Sequence, residues 1–254
     1  MHEAKSRKIT TGTKEWADHN ANCIDGCSHD CRYCYAKKMA IRFKRATADT
    51  WRTMKVREHD VKKGYRRKEG RIMFPTSHDI VPDEPCFTAC MTILRKLLAA
   101  GNNVLVTTKP HLKVIEYICT NFTQYKKLIQ FRFTITSMDE KKLSYWEPGA
   151  PGFSERIEAL KFAFHAGFKT SISIEPCLDD DPRELVAALQ PFVTESIWLG
   201  IMNYCGSHAF TSTASINNWI AWLSSNPLVR FKDSVKKRIK IKDCTRFTKP
   251  SMDN

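Results

Sequence analysis

The chain has 254 residues, 42% hydrophobic and 27% charged, a globular composition long enough to bury a substantial core without disulfides. No run approaches about 18 continuous apolar residues, and the basic N-terminus lacks an apolar h-region, so neither a membrane-spanning helix nor a secretory signal is expected. The net charge of +14 is uneven: residues 37–71 carry fourteen Lys/Arg against four Asp/Glu, and residues 230–249 carry nine against two, the footprint of a protein that meets a polyanion or, more plainly, of solvated surface.

Along the chain, β-like runs alternate with amphipathic helical runs. Residues 17–24 read as a first strand, and RIMF (71–74) as a second that ends at Pro75. A helix is expected over 86–101, closing on Gly101. NVLVTT (103–108) is an apolar strand, 112–119 a helix and QFRFTITS (130–137) an alternating strand. The clearest helix is 154–167, with Ser154 as its cap, Ile157, Leu160, Ala163 and Phe164 as its apolar face and Gly167 past its end. TSISI (170–174), 182–190, SIWLGI (196–201) and 216–225 continue as strand, helix, strand and helix. This makes about six βα units, an α/β fold with a parallel sheet, fewer units than the eight of a closed barrel.

In such folds chemistry gathers at the C-terminal ends of the strands. Polar residues fall there in order: a cysteine cluster after the first strand, Ser77-His78-Asp79 after the second and Thr108-Lys109 after the third. Thr136-Ser137 follow the fourth, Glu175 the fifth and Asn203 the sixth.

The cysteine cluster is GCSHDCRYCYA (26–36). Ten cysteines without a leader point to a reducing, cytoplasmic setting, where clustered thiols bind metal more often than they pair. Zinc wants four ligands, which Cys23 or His29 could complete. A four-iron cluster can take three thiolates from one loop, Cys27, Cys31 and Cys34, and leave one iron open.

The CxxxCxxC spacing, with Tyr33 before the last cysteine, resembles the signature of the radical S-adenosylmethionine (radical SAM) superfamily. Together with Ser77-His78-Asp79, TTKP (107–110) and WEPGAPGFSERIEALKFAFHAGFK (146–169), it is similar to the spore photoproduct lyase-like branch over roughly residues 20–205. The resemblance implies an incomplete (β/α)6 barrel spanning 17–205 as a single domain, with a basic insert at 37–71, an N-terminal segment at 1–16, and a C-terminal helix and basic tail at 206–254. It implies that Cys27, Cys31 and Cys34 hold a [4Fe-4S] cluster, that SAM is the second cofactor, and that an electron donor such as flavodoxin or ferredoxin serves it. Tyr33 would then help position the adenine, and Lys109 would pair with the SAM carboxylate, with Arg156 as a second such group unless it pairs with Glu155 or Glu158 on the surface. Ser77, Thr136 and Ser137 would hydrogen-bond the methionyl or ribose groups. Glu147 and Glu175 would bind ribose or substrate at the barrel mouth, or cap a turn before proline.

Departures from that branch narrow the reaction. The second strand ends in PTSHD with no cysteine to return a hydrogen atom, so thymine-dimer repair is not expected. Cys177 and Cys205, after the fifth and sixth strands, are the remaining candidates for a hydrogen-atom donor or radical relay. The basic insert, with Trp51 and Tyr65 among its charges, suggests a DNA, RNA or nucleotide-like substrate. Two other readings stay open: a non-catalytic zinc-dependent nucleic-acid-binding protein with Cys23, Cys27, Cys31 and Cys34 as its knot, and a radical SAM enzyme acting on a peptide or protein.

Overall fold

A computed structural model describes residues 12–202 and 212–238. Seven strands form one sheet: β1 (His19–Asn20), β4 (Arg71–Phe74), β5 (Asn103–Thr108), β6 (Ile129–Thr134), β7 (Lys169–Ile174), β8 (Ser196–Leu199) and β9 (Val229–Phe231). They lie in that order, every neighbouring pair is parallel, and the described residues show no pairing of β1 with β9. A separate two-stranded ribbon pairs β2 (Ile24–Asp25) with β3 (Lys55–Val56). The helices are α1 (Tyr35–Arg42), α2 (Glu58–Lys62), α3 (Cys86–Ala99), α4 (Leu112–Asn121), α5 (Glu140–Trp146), α6 (Phe153–His165), α7 (Arg183–Leu189), α8 (Thr213–Leu223) and α9 (Asp233–Arg238). The α/β fold and parallel sheet expected from the sequence are present, with β9 as a seventh strand in place of the expected six.

Alternation along the strands explains the two faces. Ile72, Phe74, Val104, Val106, Phe131, Phe133, Ile172, Ile174, Ile197 and Leu199 join one core with the apolar sides of α3, α4, α6 and α7. The intervening residues face the other way. Gln130 and Arg132 hydrogen-bond Ser171, and Arg132 reaches Ser196. Arg132 is buried without an ion pair among the described residues, and its guanidinium lies 4.6 Å from the Trp16 ring and 5.6 Å from the Trp198 ring. Burial lowers its pKa to about 9, with Arg71 adding to the effect, so the group stays protonated at neutral pH.

The short 3-10 turn Gly12–Glu15 and the residues after it draw the two edges of the sheet together. Lys232, just past β9, lies 2.9 Å from Glu15 and donates to the Gly12 carbonyl, while Asp18 N bonds Arg71 O at the start of β4.

The cap of α6 differs from expectation. Gly152 is the residue that caps it, Ser154 lies inside the helix, and the Phe153 amide donates to Glu140 from α5. A side chain at Gly152 would meet that same carboxylate, which would have to swing aside. The buried face of α6 is Arg156, Ala159, Leu160 and Ala163, so an arginine sits where an apolar side chain was expected. No helix among the described residues is long and apolar enough to cross a membrane.

Candidate active site at the strand C-termini

The cysteine loop follows the β2 strand and is held from two sides. Gly26 has a positive φ, and a Cβ there would come within 2.4 Å of the Thr53 carbonyl oxygen, so only glycine lets the loop meet the 51–53 segment. The Cys27 amide then donates to Trp51 O. On the other side, Arg32 N donates to Trp146 O and Gly149 N to His29 O, and a Cβ at Gly149 would stand 2.2 Å from the Ser28 carbonyl oxygen. The EPGAP segment therefore seats directly on the loop.

Cys27 and Cys31 are buried, Cys34 is half-buried, and none is in a disulfide. Burial pushes the Cys27 thiol up to about 12 and the Cys31 thiol further in the same direction, against the pull of Lys109 on both. Thiols in such a place ionise when a cation takes the charge. Cys34 caps α1, and its sulfur accepts the Lys37 amide. Three thiols from one loop, two buried and one at a helix N-terminus, fit the donor set of an iron–sulfur cluster with one open iron. Cys23 does not belong to this set. Its sulfur lies 3.7 Å from Cys90 on α3, in the main core, while Cys27 packs with Ala40 and Trp51. A zinc knot of Cys23, Cys27, Cys31 and Cys34 loses its fourth ligand.

Two polar clusters stand beside the loop. The first centres on Glu147, which is 1% exposed. The Tyr33 hydroxyl and Thr136 Oγ1 both donate to Oε1, and Arg156 Nη2 lies 2.5 Å from Oε2. Burial alone would raise the Glu147 carboxyl, but Lys109, Arg156 and Tyr33 outweigh it and hold the group below its usual range. Arg156 also donates to the carbonyls of Pro151 and Thr134. It is wholly buried, so the surface pairing with Glu155 or Glu158 is corrected to a buried pairing with Glu147.

The second cluster centres on Asp79. It accepts from the Thr108 hydroxyl and from the amides of Ile80 and Lys109. His29 Nδ1 lies 3.2 Å away, and His29 Nε2 meets His111 Nε2 at 3.0 Å. Burial opposes the charge on Asp79, but His29 and Lys109 hold the carboxyl well below the usual range. Lys109 ends β5 between the clusters. Its ammonium sits 5.6 Å from the Tyr33 ring and makes no salt bridge among the described residues. Burial works against its charge, but Cys31, Glu147 and Asp79 raise its pKa.

Other expected site residues are partnered differently. The Ser77 amide donates to Asn22, which also binds Thr76 through both ends of its amide and so ties the β1 end to the β4 end. Ser137 donates to Asp179, which also pairs with Lys142. Glu175 faces Lys232 at 3.6 Å, and burial raises its pKa. Cys177 is buried in the core on the helix-facing side, its thiol donates to the Asp179 carbonyl, and burial raises it to about 12, so the structure does not present it to the cysteine loop. Asn203 and Cys205 lie outside the described residues.

The basic insert folds into α1, the β3 strand and α2. Trp51 is buried beside Cys27, and Tyr65 is half-buried with its hydroxyl on Asp60 O, so neither is an exposed stacking platform. Tyr35 and Phe43, at the two ends of α1, and Tyr145 of α5 are exposed. Arg42 and Arg45 flank the Phe43 ring, and Arg32 lies 4.3 Å from the Tyr145 ring centroid.

No family model matches the chain. It is 24% identical over 247 residues to an uncharacterized protein of Methanocaldococcus jannaschii, covering 94% of this chain and 93% of that one. It is 28% identical over 178 residues to an uncharacterized protein of Acidianus two-tailed virus, covering 64% of this chain and 57% of that one. Among solved structures, spore photoproduct lyase with bound AdoMet and dinucleoside spore photoproduct superposes with a TM-score of 0.49 at 15% identity, over 97% of this chain and 65% of that one. Streptococcus suis SuiB bound to S-adenosylmethionine superposes with a TM-score of 0.52 at 13% identity, over 82% of this chain and 45% of that one. This chain thus spans less than half the length of SuiB. The superposition with SuiB shows that the two share the parallel α/β fold.

Proposed function

We propose that this chain is a radical SAM enzyme, with Cys27, Cys31 and Cys34 as the ligands of a [4Fe-4S] cluster. The observation that carries the reading is the placement of three loop thiols outside any disulfide beside Lys109, which directly follows β5 and makes no salt bridge among the described residues. When bound, the cluster and SAM would supply an electron for reductive S–C5′ cleavage and a 5′-deoxyadenosyl radical that takes a hydrogen atom from the substrate.

The chain's own residues then have separable tasks. Lys109, held charged by its neighbours, offers its ammonium to the SAM carboxylate. Tyr33 and Thr136, fixed by Glu147, line the approach to the adenosyl end. Arg156 acts through Glu147, as a positioning residue, because its guanidinium is already committed to Glu147, Pro151 and Thr134. Ser77 and Ser137 act through the turns they hold. Asp79 fixes His29 within the loop and the backbone of Lys109 at its rim.

For the substrate, we infer a nucleic acid or nucleotide-like molecule, on the exposed basic and aromatic face of α1 and α5. Arg32, within the cysteine loop, lies over Tyr145 of α5, and Arg42 and Arg45 flank Phe43 at the far end of α1, pairing charges with rings as a single-strand binder does. The same face would receive an acidic electron donor such as flavodoxin or ferredoxin.

The test is anaerobic reconstitution with iron and sulfide, reduction with dithionite and addition of SAM, with 5′-deoxyadenosine followed by chromatography. Its formation, and its loss when any of Cys27, Cys31 or Cys34 is changed to Ala, supports the proposal. A colourless protein that leaves SAM intact refutes it.

A further inference from the structure

Outside the cysteine loop, the described residues bring together a second set of ligand-type atoms. Cys23, His78 and Cys90 are all buried, and one ligand atom from each lies within 4.8 Å of the others. They come from three elements: Cys23 follows β1, His78 follows β4 and Cys90 lies in the second turn of α3. The Cys23 and Cys90 sulfurs are 3.7 Å apart. Two thiolates on one tetrahedral zinc ion, each at about 2.3 Å, stand about 3.8 Å apart, so the pair already has the required edge.

His78 Nδ1 lies 3.0 Å from the Asp79 carbonyl oxygen, which only an N–H can satisfy, so Nε2 is the acceptor nitrogen; it takes the Cys23 amide at 3.1 Å, a bond that an incoming ion would displace. A backbone carbonyl that fixes one ring nitrogen, as the Asp79 carbonyl does here, is a common way of orienting metal-bound imidazoles, and a ring atom of His78 lies within 4.8 Å of both sulfurs. One turn earlier on the same face of α3, Cys86 is also buried but does not join the three atoms that lie within 4.8 Å of one another.

We propose that Cys23, His78 and Cys90 form a second, structural metal site for a thiophilic divalent ion such as Zn2+, separate from the Cys27–Cys34 loop. An ion there would clamp the end of β1, the end of β4 and α3 beneath the cysteine loop, and it would do so whether or not the loop carries an iron–sulfur cluster.

The test uses the full chain with Cys27, Cys31 and Cys34 all changed to Ala, reduced, metal-free and anaerobic, and titrated with Co2+. The expected result is one equivalent of Co2+ with thiolate-to-cobalt charge-transfer absorption and the intense visible bands of a tetrahedral site, displaced by one equivalent of Zn2+. In that background Cys90→Ser, which keeps the side chain's size, and His78→Gln should each weaken Co2+ binding at least tenfold while far-UV circular dichroism is retained. Zinc should also raise the melting temperature of the triple variant and leave that of its Cys90→Ser derivative unchanged. The absence of thiolate–cobalt bands in the folded triple variant would overturn the site. So would bands that survive both further substitutions, or a Cys23–Cys90 disulfide that persists under reductant. Because the loop thiols are gone, the result is independent of the cofactor reading above.

Discussion

At the scale of single residues, Glu147 carries the most consequence for its size. It holds a tyrosine from the cysteine loop, a threonine from the end of β6 and an arginine from α6 in one buried group. Replacing it with Gln keeps the acceptor for Tyr33 and Thr136 but strands the Arg156 charge, which should cost about 3–5 kcal/mol at neutral pH. The pH dependence follows from the lowered pKa. The folded-state value of Glu147 lies below the unfolded one, so its contribution is fully present above about 4.3 and is lost as pH falls through the folded value. Urea midpoints between pH 3 and 7 should therefore show the gap between wild type and Glu147→Gln closing towards the acid end; a gap that widens with acid would contradict the assignment. Gly149 gives a second, steric prediction. An alanine there meets the Ser28 backbone oxygen, which has no rotamer to yield, so the loop must move. Gly149→Ala should lower bound iron after reconstitution by severalfold, whereas Gly64→Ala, with open space around it, should leave iron content unchanged and shift stability by less than about 0.5 kcal/mol. The spacing of Cys27, Cys31 and Cys34, on which the proposed cluster rests, is visible in the sequence because residues of one loop leave a local pattern. The role of Glu147 is not, since its partners come from positions 33, 136 and 156 and only the tertiary fold joins them.

At the scale of elements, legibility followed the strength of the period. The β4, β5 and β7 strands and helices α3, α4 and α6 fall within two residues of their sequence boundaries because each buries a regular apolar face. The first strand, expected over 17–24, is the two-residue β1 in the main sheet followed by β2 of the separate ribbon, and β9 spans three residues, too few for any period to register. Helix α1 was hidden inside a run of lysines and arginines, with Ala40 as its buried residue. Its exposure is the basis of a binding prediction. Phe43 and its flanking Arg42 and Arg45 project from the last turn of α1 and just beyond it, and the segment 66–68 is pinned through its backbone by buried Asn102, which leaves its own basic side chains exposed. Arg42→Glu combined with Arg45→Glu should weaken binding to single-stranded DNA or RNA at least tenfold at low salt, and should flatten the dependence of affinity on salt because fewer counterions are released. Fluorescence anisotropy across a salt series reads both quantities. Unchanged affinity would move the polyanion site away from α1. Trp51→Ala, by contrast, should act on folding and cluster loading, because that ring supports Cys27 from within.

At the scale of the whole molecule, the open sheet has a problem that its sequence solves far from the chemistry. Among the described residues β1 and β9 do not pair, and the face opposite the helices carries Gln130, Arg132, Ser171 and Ser196 where a closed barrel would stack aliphatic layers. Such an interior gains little from apolar burial, so closure must come from specific contacts. Lys232 provides them, since its ammonium is 4% exposed and reaches Glu15, Glu175 and the Gly12 carbonyl at once. Trp16, next in sequence to Glu15, lies with its ring 4.1 Å from the same ammonium, and Arg132 adds its guanidinium to that ring from β6. Lys232→Met would leave two carboxylates near each other with no cation between them, one of them, Glu15, with a side chain only 8% exposed. The expected cost is about 3–5 kcal/mol, against less than about 1 kcal/mol for Lys161→Met in its exposed pair with Glu158. Combining Lys232→Met with Glu15→Gln should recover part of the loss, because the second change removes the stranded charge that the first created. Urea unfolding of the single and double variants distinguishes this clasp from mere packing: simple loss of contact makes the two effects add, whereas a stranded carboxylate makes the double variant more stable than Lys232→Met alone.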